Sequence, residues 1–351
     1  MAVGLPLKTT YANGDVYSAS DVNDTNGTVN LIGQTTNFFA GKNKILNSDF
    51  GIWQRGTSFT AAEGYTADRW VGGSNATITF SQQTFTPGTA PVAGYEGTFF
   101  IRQAKSAGGT FTDIRQRIEN VRTFAGQTVT LSFWAKVATG TASIEPYYVQ
   151  NFGSGGSGNV ASTVTAQTIN TSWARYSFTF TLPSISGKTI GTSNFLEIYA
   201  TRCVTSSAVT IDTWGVQLEA GSTATAFQTA TGTIQGELAA CQRYYFRNTS
   251  SGGNEYIAFG QAFTTTQVEG FVFSQVPMRV VPTSVDFSGG LLQTYGGQST
   301  FAITAMTVSG VAGKVNPVAS ITVASGLTAG SQYRVLTSNS STSYIGFSAE
   351  L

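Results

Sequence analysis

The 351-residue sequence contains no histidine. That absence removes the commonest general base, the commonest metal ligand, and the Ser-His-Asp and Cys-His catalytic arrangements. Carboxylate-based glycoside hydrolysis survives, since it needs only Asp and Glu. Charge is scarce as well: 11% of residues are Asp, Glu, Lys or Arg, against about 25% in an average soluble chain. With 19 basic and 18 acidic residues, no global field steers the chain to nucleic acid or to an anionic membrane surface. Two cysteines, Cys203 and Cys241, are too few for a disulfide framework or a thiolate metal site. They read as separate buried thiols, or as a pair if the chain folds back between them. No run approaches the roughly 20 apolar residues needed to cross a bilayer. The start, Met1-Ala-Val-Gly-Leu-Pro-Leu-Lys8, lacks the basic-then-apolar order of a signal peptide, so synthesis in the cytoplasm without a leader is expected.

What the chain has instead is glycine, 40 residues of it, with Ser and Thr throughout. A polar, weakly charged, turn-rich chain with many β-formers suits an all-β protein. Residues 1–42 hold few large apolar side chains. An Asn13-Gly14 turn signal is followed by Ser20 or Asp21 as a helix N-cap. Too small to bury a core of its own, this arm is expected to pack on something else. Period-two alternation then runs through Thr77-Ile-Thr-Phe-Ser-Gln-Gln-Thr-Phe85, Thr128-Val-Thr-Leu-Ser-Phe-Trp-Ala135 and Tyr176-Ser-Phe-Thr-Phe-Thr-Leu182. That pattern predicts a β-sandwich over 43–221, each strand having one wet and one buried face. A connector at 222–254 carries the best short helix, near Gly236–Arg247. A second, sandwich-like β domain is expected over 255–351, with strands near 256–260, 268–274, 299–306 and 343–348.

Chemistry must come from carboxylates, aromatics and amides. The 5 Trp, 14 Tyr and 24 Phe are enough to fill a core and leave rings for ligands. Sugar rings present apolar C–H faces, so flat aromatic platforms with a few polar groups suit them. Trp70, Trp134 and Trp214 fall in strand patterns and are expected in the core. Asn151-Phe-Gly-Ser-Gly-Gly-Ser-Gly-Asn159 is a Gly/Ser loop with no Lys-Ser/Thr of the phosphate-cradling kind. Tyr147, Tyr148 and Phe152 beside it are expected to be exposed, with Gln150 and Asn151 as amide partners: a candidate carbohydrate site at Tyr147, Tyr148, Asn151 and Phe152. Arg115, Arg117 and Arg122, interleaved with Asp113 and Glu119, read as a solvated strand face or subunit contact rather than a nucleic-acid surface. Asp68-Arg69 reads as part of a strand-end ion-pair network.

Several phrases carry a resemblance. They are Ile45-Leu-Asn-Ser-Asp-Phe-Gly-Ile-Trp-Gln-Arg-Gly56, Tyr65-Thr-Ala-Asp-Arg-Trp70, Trp173-Ala-Arg-Tyr-Ser-Phe-Thr-Phe-Thr-Leu182 and Ala208-Val-Thr-Ile-Asp-Thr-Trp-Gly-Val-Gln-Leu-Glu-Ala-Gly221. Their order resembles jelly-roll domains of the carbohydrate-binding-module type, in the variety found on bacteriophage fibre and appendage proteins. The resemblance covers roughly 43–221. Ala19-Ser-Asp21, Glu237-Leu-Ala-Ala-Cys-Gln-Arg-Tyr-Tyr245 and Gly346-Phe-Ser-Ala-Glu-Leu351 are similar to the head, middle and end of the same proteins. It implies a phage virion structural protein, a tail fibre or spike subunit in the virion. Such a subunit would adhere to bacterial surface glycan without catalysis, assemble as a homotrimer, and meet other virion proteins through the arm at 1–42. Two alternatives stay open: a head fibre or capsid decoration protein of purely structural role, and a surface-glycan depolymerase. The same resemblance implies a structural calcium, with Asp212 at the matching position and Asn47 and Asp49 beside it; the alternative is that Asp212 and Asp49 make turn or cap hydrogen bonds.

Overall fold

The period-two stretches become strands, and every strand pair among the described residues is antiparallel. The computed structural model describes residues 41–60, 62–92, 94–297, 299–337 and 340–351; the expected arm at 1–42 lies outside them, save for Gly41 and Lys42. One sheet takes the order Ser58–Phe59 (β1), Ile78–Thr84 (β4), Phe99–Lys105 (β5), Val209–Ala220 (β15), Thr128–Val137 (β7) and Ala174–Thr181 (β12). The facing sheet runs Val160–Ala161 (β10), Tyr147–Asn151 (β9), Phe195–Tyr199 (β13), Phe111–Glu119 (β6), Trp70–Ser74 (β3) and Glu63–Tyr65 (β2), with Cys203–Val204 (β14) also on β6. A short pair, Ala142–Ile144 (β8) and Gln167–Ile169 (β11), stands beside them.

Alternation decides what each sheet buries. In β7, Val129, Leu131, Phe133, Ala135 and Val137 all point into the space between the sheets. Tyr176, Phe178 and Phe180 of β12 pack onto the same core, Phe178 stacking on Phe133 with ring centroids 5.9 Å apart. Full burial of each such side chain is worth about 1.5–3 kcal/mol, and Phe133→Ala would cost roughly 3–5 kcal/mol. The opposite face of the first sheet is closed too. Phe85, Phe100, Trp134, Trp214 and Phe227 form a second aromatic cluster there, so Trp134 and Trp214 are packing residues, as is the fully buried Trp70. A bulge in β15 between Trp214 and Gln217 needs Gly215, whose φ is +64° and whose added Cβ would lie 2.8 Å from the Trp134 ring.

The second domain has its own core, around Val268, Leu292, Ile321, Val335 and Phe347. Its strands Tyr256–Ala262 (β17), Gln267–Val272 (β18), Val318–Val323 (β22), Thr300–Val308 (β21), Leu291–Thr294 (β20) and Gln332–Leu336 (β23) close into a barrel. Tyr245–Thr249 (β16), Tyr344–Ser348 (β24) and Ser284–Ser288 (β19) form a three-stranded sheet beside it. The all-β class holds, while this domain is a barrel with a flanking sheet where a sandwich-like unit was expected. Closure removes exposed edges. Small inward residues permit it: Gly260 and Gly270 sit directly opposite one another, and a Cβ on Gly270 would meet Ile321 at 2.7 Å.

The helix Ile234–Gln242 (α1) starts at Thr233, whose hydroxyl accepts from Gly236 N at 3.1 Å. Its buried Glu237 accepts from the backbone N–H groups of Asn47, 2.8 Å, and Thr231, 2.7 Å. Further polar contacts lock the two domains. Arg69, fully buried, pairs with Glu350, and Tyr65 Oη donates to the Leu351 carbonyl at 3.0 Å. Gln54 Nε2 reaches both Asp68 and the Tyr245 carbonyl, while the Arg55 guanidinium lies 3.5 Å over the Tyr245 ring. Asp68-Arg69 is thus an ion-pair node, and it joins domains rather than finishing one strand. Cys203 and Cys241 are both free and buried.

Candidate functional site

The strand β9 sets the site, and it corrects part of the expected one. Residues 147–151 are strand rather than loop flank, so neighbouring side chains leave on opposite faces. Tyr148 points inward, 3% exposed, and its hydroxyl donates to the Thr181 carbonyl at 3.1 Å. Phe152 is fully buried. Neither ring offers a face to solvent: Tyr148 packs in the sandwich core, and Phe152 is covered at the start of the Gly/Ser loop, with Lys188 Nζ 5.9 Å from its ring centroid. Asn151 Oδ1 accepts from Gly153 N at 2.8 Å and so shapes the turn into that loop. Tyr147 alone of the four keeps its ring on the outer face of the second sheet.

There it meets a residue that sequence reasoning missed. Tyr199 of β13 is the register partner of Tyr147, and the two rings stack at 4.1 Å between centroids with 13° between planes. The Arg115 guanidinium lies over Tyr199 at 5.4 Å and that of Arg202 over Tyr147 at 5.7 Å. Tyrosine edges and hydroxyls are therefore presented beside guanidinium N–H groups, rather than a bare stacking platform. These residues border a depression of about 270 Å³ together with Glu63 and Asp113. Gly73 makes it accessible: a Cβ there would meet Arg115 Nη1 at 2.5 Å and Asp113 Oδ1 at 2.9 Å.

Charge in the depression is densely paired. Arg115 Nη1 donates to Asp113 Oδ1 at 2.6 Å, Nη2 reaches Glu63, and Nε lies 3.2 Å from Glu197. Arg117 Nε donates to Glu197 at 2.9 Å, and Arg202 Nη1 to Glu145 at 2.7 Å. Burial pushes the Asp113 carboxyl up to about 6, although Arg115 pulls the other way. Burial also raises the Tyr147 and Tyr199 phenols, with Glu197 adding to the shift at Tyr199. Both phenols thus stay neutral hydroxyls; that of Tyr199 donates to Glu197 Oε2 at 3.0 Å and keeps its lone pairs as acceptors. The Arg115 and Arg117 face proves to be part of this network, not an even solvated surface.

The calcium residues do not fit a calcium shell, which asks for about 6–8 oxygen ligands. Both Asp212 oxygens face cations: Arg102 Nε and Nη2 donate to them at 2.7 and 2.9 Å, and Lys136 Nζ is 3.7 Å away. Asn47 is buried, its Oδ1 accepting from Ile52 N and its Nδ2 donating to the Ile52 and Asp68 carbonyls. Asp49 accepts from Tyr95 Oη at 3.0 Å, at the rim of a separate hollow of about 500 Å³ beside α1. Among the described residues, no group of three or more His, Cys, Asp and Glu is placed to hold a metal ion.

With this geometry in view, residues 64–192 match the family model described as a carbohydrate-binding domain, CBM_4_9. Over that stretch, little more than a third of the chain, the sequence is similar to carbohydrate-binding domains. The match takes in Asp113, Arg115 and Tyr147 and leaves out Tyr199 and the barrel. No curated protein matches the chain. Among solved structures, it is similar to the enzymatically active domain of bacteriophage CBA120 tailspike protein 4, at 15% identity and TM-score 0.34 over 51% of this chain and 22% of that one. It is also similar to the family 11 carbohydrate-binding module of Clostridium thermocellum, at 12% identity and TM-score 0.30 over 46% of this chain and 95% of that one. A third is the CBM22-1 xylan-binding domain of Paenibacillus barcinonensis Xyn10C, at 14% identity and TM-score 0.30 over 48% and 94%.

Proposed function

We propose that the sandwich binds carbohydrate on the outer face of its second sheet, centred on the stacked Tyr147–Tyr199 pair. The observation that carries this is the depression itself. Two neutral phenols, two guanidinium groups and the carboxylates of Glu63 and Asp113 converge on one hollow, inside a domain whose family binds sugar. Hydroxyl-rich ligands need donors and acceptors held at fixed positions, and this ion-pair lattice holds them rigidly. Acidic and basic groups alternate around the hollow, which favours a neutral glycan over a polyanion.

The binding is non-catalytic in this reading. Hydrolysis would require two carboxyl groups flanking one bond, whereas Glu63 and Asp113 are both engaged by the same Arg115. The raised Asp113 carboxyl is the one observation favouring the depolymerase alternative, and reducing-sugar release from bacterial surface polysaccharide decides between them.

The chain serves, in this proposal, as a homotrimeric phage tail fibre or spike subunit that adheres to host-surface glycan, with 1–42 docking to other virion proteins. The support is the set of sequence phrases that resemble such proteins across the arm, sandwich, connector and last strand. Many copies per particle would raise a weak single-site affinity through effective concentration. Immunogold labelling of virions tests the location, with label at the tail tip expected and label on the head favouring the decoration alternative. Native mass spectrometry of the full chain tests the assembly, a trimer being expected and a monomer contradicting it.

A further inference from the structure

The barrel exposes rings that the sandwich hides. Tyr256, Phe259, Phe263, Phe271, Phe273 and Tyr295 are all large, exposed aromatics, Tyr295 at 74%. Contiguous exposed apolar surface on a soluble protein marks an interaction site. Part of this surface is concave. Phe259 and Phe271 stand directly opposite one another on β17 and β18. With Tyr295 and the floor residue Tyr333 they border a hollow of about 290 Å³, near the lower end of the range for small-molecule sites. Tyr333 is fixed from below, its hydroxyl accepting from Thr328 N at 2.9 Å.

The remaining side chains that line this hollow are amides, Gln261 and Gln332. The ionised groups beside it are engaged elsewhere: Arg334, the register partner of Phe259, donates to Gln293 Oε1 at 2.9 Å, and Glu269, that of Gln261, accepts from Ser309 Oγ at 2.7 Å. Gln261 Nε2 donates to the Gly330 carbonyl at 2.8 Å, and its side-chain carbonyl oxygen remains an acceptor. Among the described residues the Gln332 amide and the Tyr295 hydroxyl have no hydrogen-bond partner. Ring faces for C–H surfaces, side amides for hydroxyls, and a lining without ionised side chains together match an uncharged polyol. We propose that this hollow on the barrel is a second carbohydrate site, selective for a neutral glycan and independent of the Tyr147–Tyr199 face. Two sites on separate domains of one chain would let it bridge positions along a polysaccharide.

The test uses the full chain in native gels cast with neutral polysaccharides: mixed-linkage β-glucan, xylan and neutral bacterial O-chains. Wild type is compared with Phe271→Ala, Tyr295→Ala, the double variant, and Tyr147→Ala as the sandwich control. For at least one polysaccharide, each barrel ring removed should weaken retardation about 2- to 10-fold, as expected for loss of one aromatic contact. That loss should add to whatever Tyr147→Ala causes. Since both rings are exposed, melting temperatures should not move; if one does, Gln332→Ala reads the site without removing a ring. Retardation insensitive to both rings and to Gln332 would overturn the proposal. So would a double variant that alters only the sedimentation coefficient, which would make the patch a contact between copies of the chain.

Discussion

In the sandwich, Asp68, Arg69, Asp113, Arg115, Asp212 and Glu219 are all buried, each tied to a partner of opposite charge or to hydrogen-bond donors. Among the described residues of the barrel and its flanking sheet, the buried polar ones are Ser250, Ser309, Thr337 and Ser343. Aromatic rings follow the reverse rule. The sandwich packs Trp134, Trp214 and Phe85 into a closed cluster, whereas the barrel leaves Phe271, Phe273 and Tyr295 in solvent. A buried charge and an exposed ring are the informative departures from ordinary burial. In the proposed reading, the first domain places its recognition groups through ion pairs, and the second through bare aromatic surface.

The largest expected effect breaks the sandwich's side of this comparison. Arg69→Ala removes the cation that sits between Glu350 and the Tyr244 ring, leaving Glu350 with Arg55, at 3.2 Å, as its remaining cation at the domain junction. Loss of one member of a buried pair costs about 3–5 kcal/mol, so the urea midpoint should fall sharply. A cost below about 1 kcal/mol would mean that the junction does not depend on the pair.

Tyr148→Ala comes next and separates the two neighbouring tyrosines. It should destabilise the fold by roughly 3 kcal/mol, the cost of emptying a buried aromatic position. An unchanged melt would return Tyr148 to the surface.

The pH response sharpens the comparison further. Burial raises the Asp68 and Asp113 carboxyls from 3.8 to about 6. The folded state thus binds protons more tightly than the unfolded chain, and stability increases as pH falls from 7 to 5. Each group contributes about 1 kcal/mol across that window. Glu119 and Glu219 are shifted downward, so they stay charged there and withdraw stability only at lower pH. A melting temperature higher at pH 5 than at pH 7, with the slope reduced in Asp68→Asn and Asp113→Asn, is the expected result. A flat profile would contradict the burial assigned to both groups.

The smallest effect belongs to the barrel. Phe273→Ser replaces a ring that is 59% exposed, and the melt should move by less than about 0.5 kcal/mol equivalent. A larger loss would show that the barrel's exposed rings hold the fold together.

Much of the fold was legible because alternation is local. The strands at 77–85, 128–135 and 176–182 announce one buried face residue by residue; Trp134, out of phase with Leu131 and Phe133, is buried instead by the aromatic cluster on the other face of its sheet. The site was half legible. Tyr147-Tyr-Val-Gln-Asn151 carries apolar residues on both faces, so its period is masked and the strand reads as the edge of a loop. Treating 147–151 as a strand would have sent Tyr147 and Tyr148 to opposite sides, and the looser pattern at Phe195–Tyr199 held the missing Tyr199. Barrel closure and the Arg69–Glu350 pair depend on contacts far apart in sequence, which no local pattern encodes. The metal at Asp212 came from the resemblance alone, and nothing local in the sequence reveals that Arg102 is its cross-strand partner.

The most direct measurement is isothermal titration of the full chain and its Tyr147→Ala variant with the bacterial surface oligosaccharide that the wild type binds, each paired with a melt. The account predicts an unchanged melting temperature and a Kd weakened about 2- to 10-fold, the loss of one aromatic contact at the Tyr147–Tyr199 face. An unchanged Kd with an unchanged melt would contradict it.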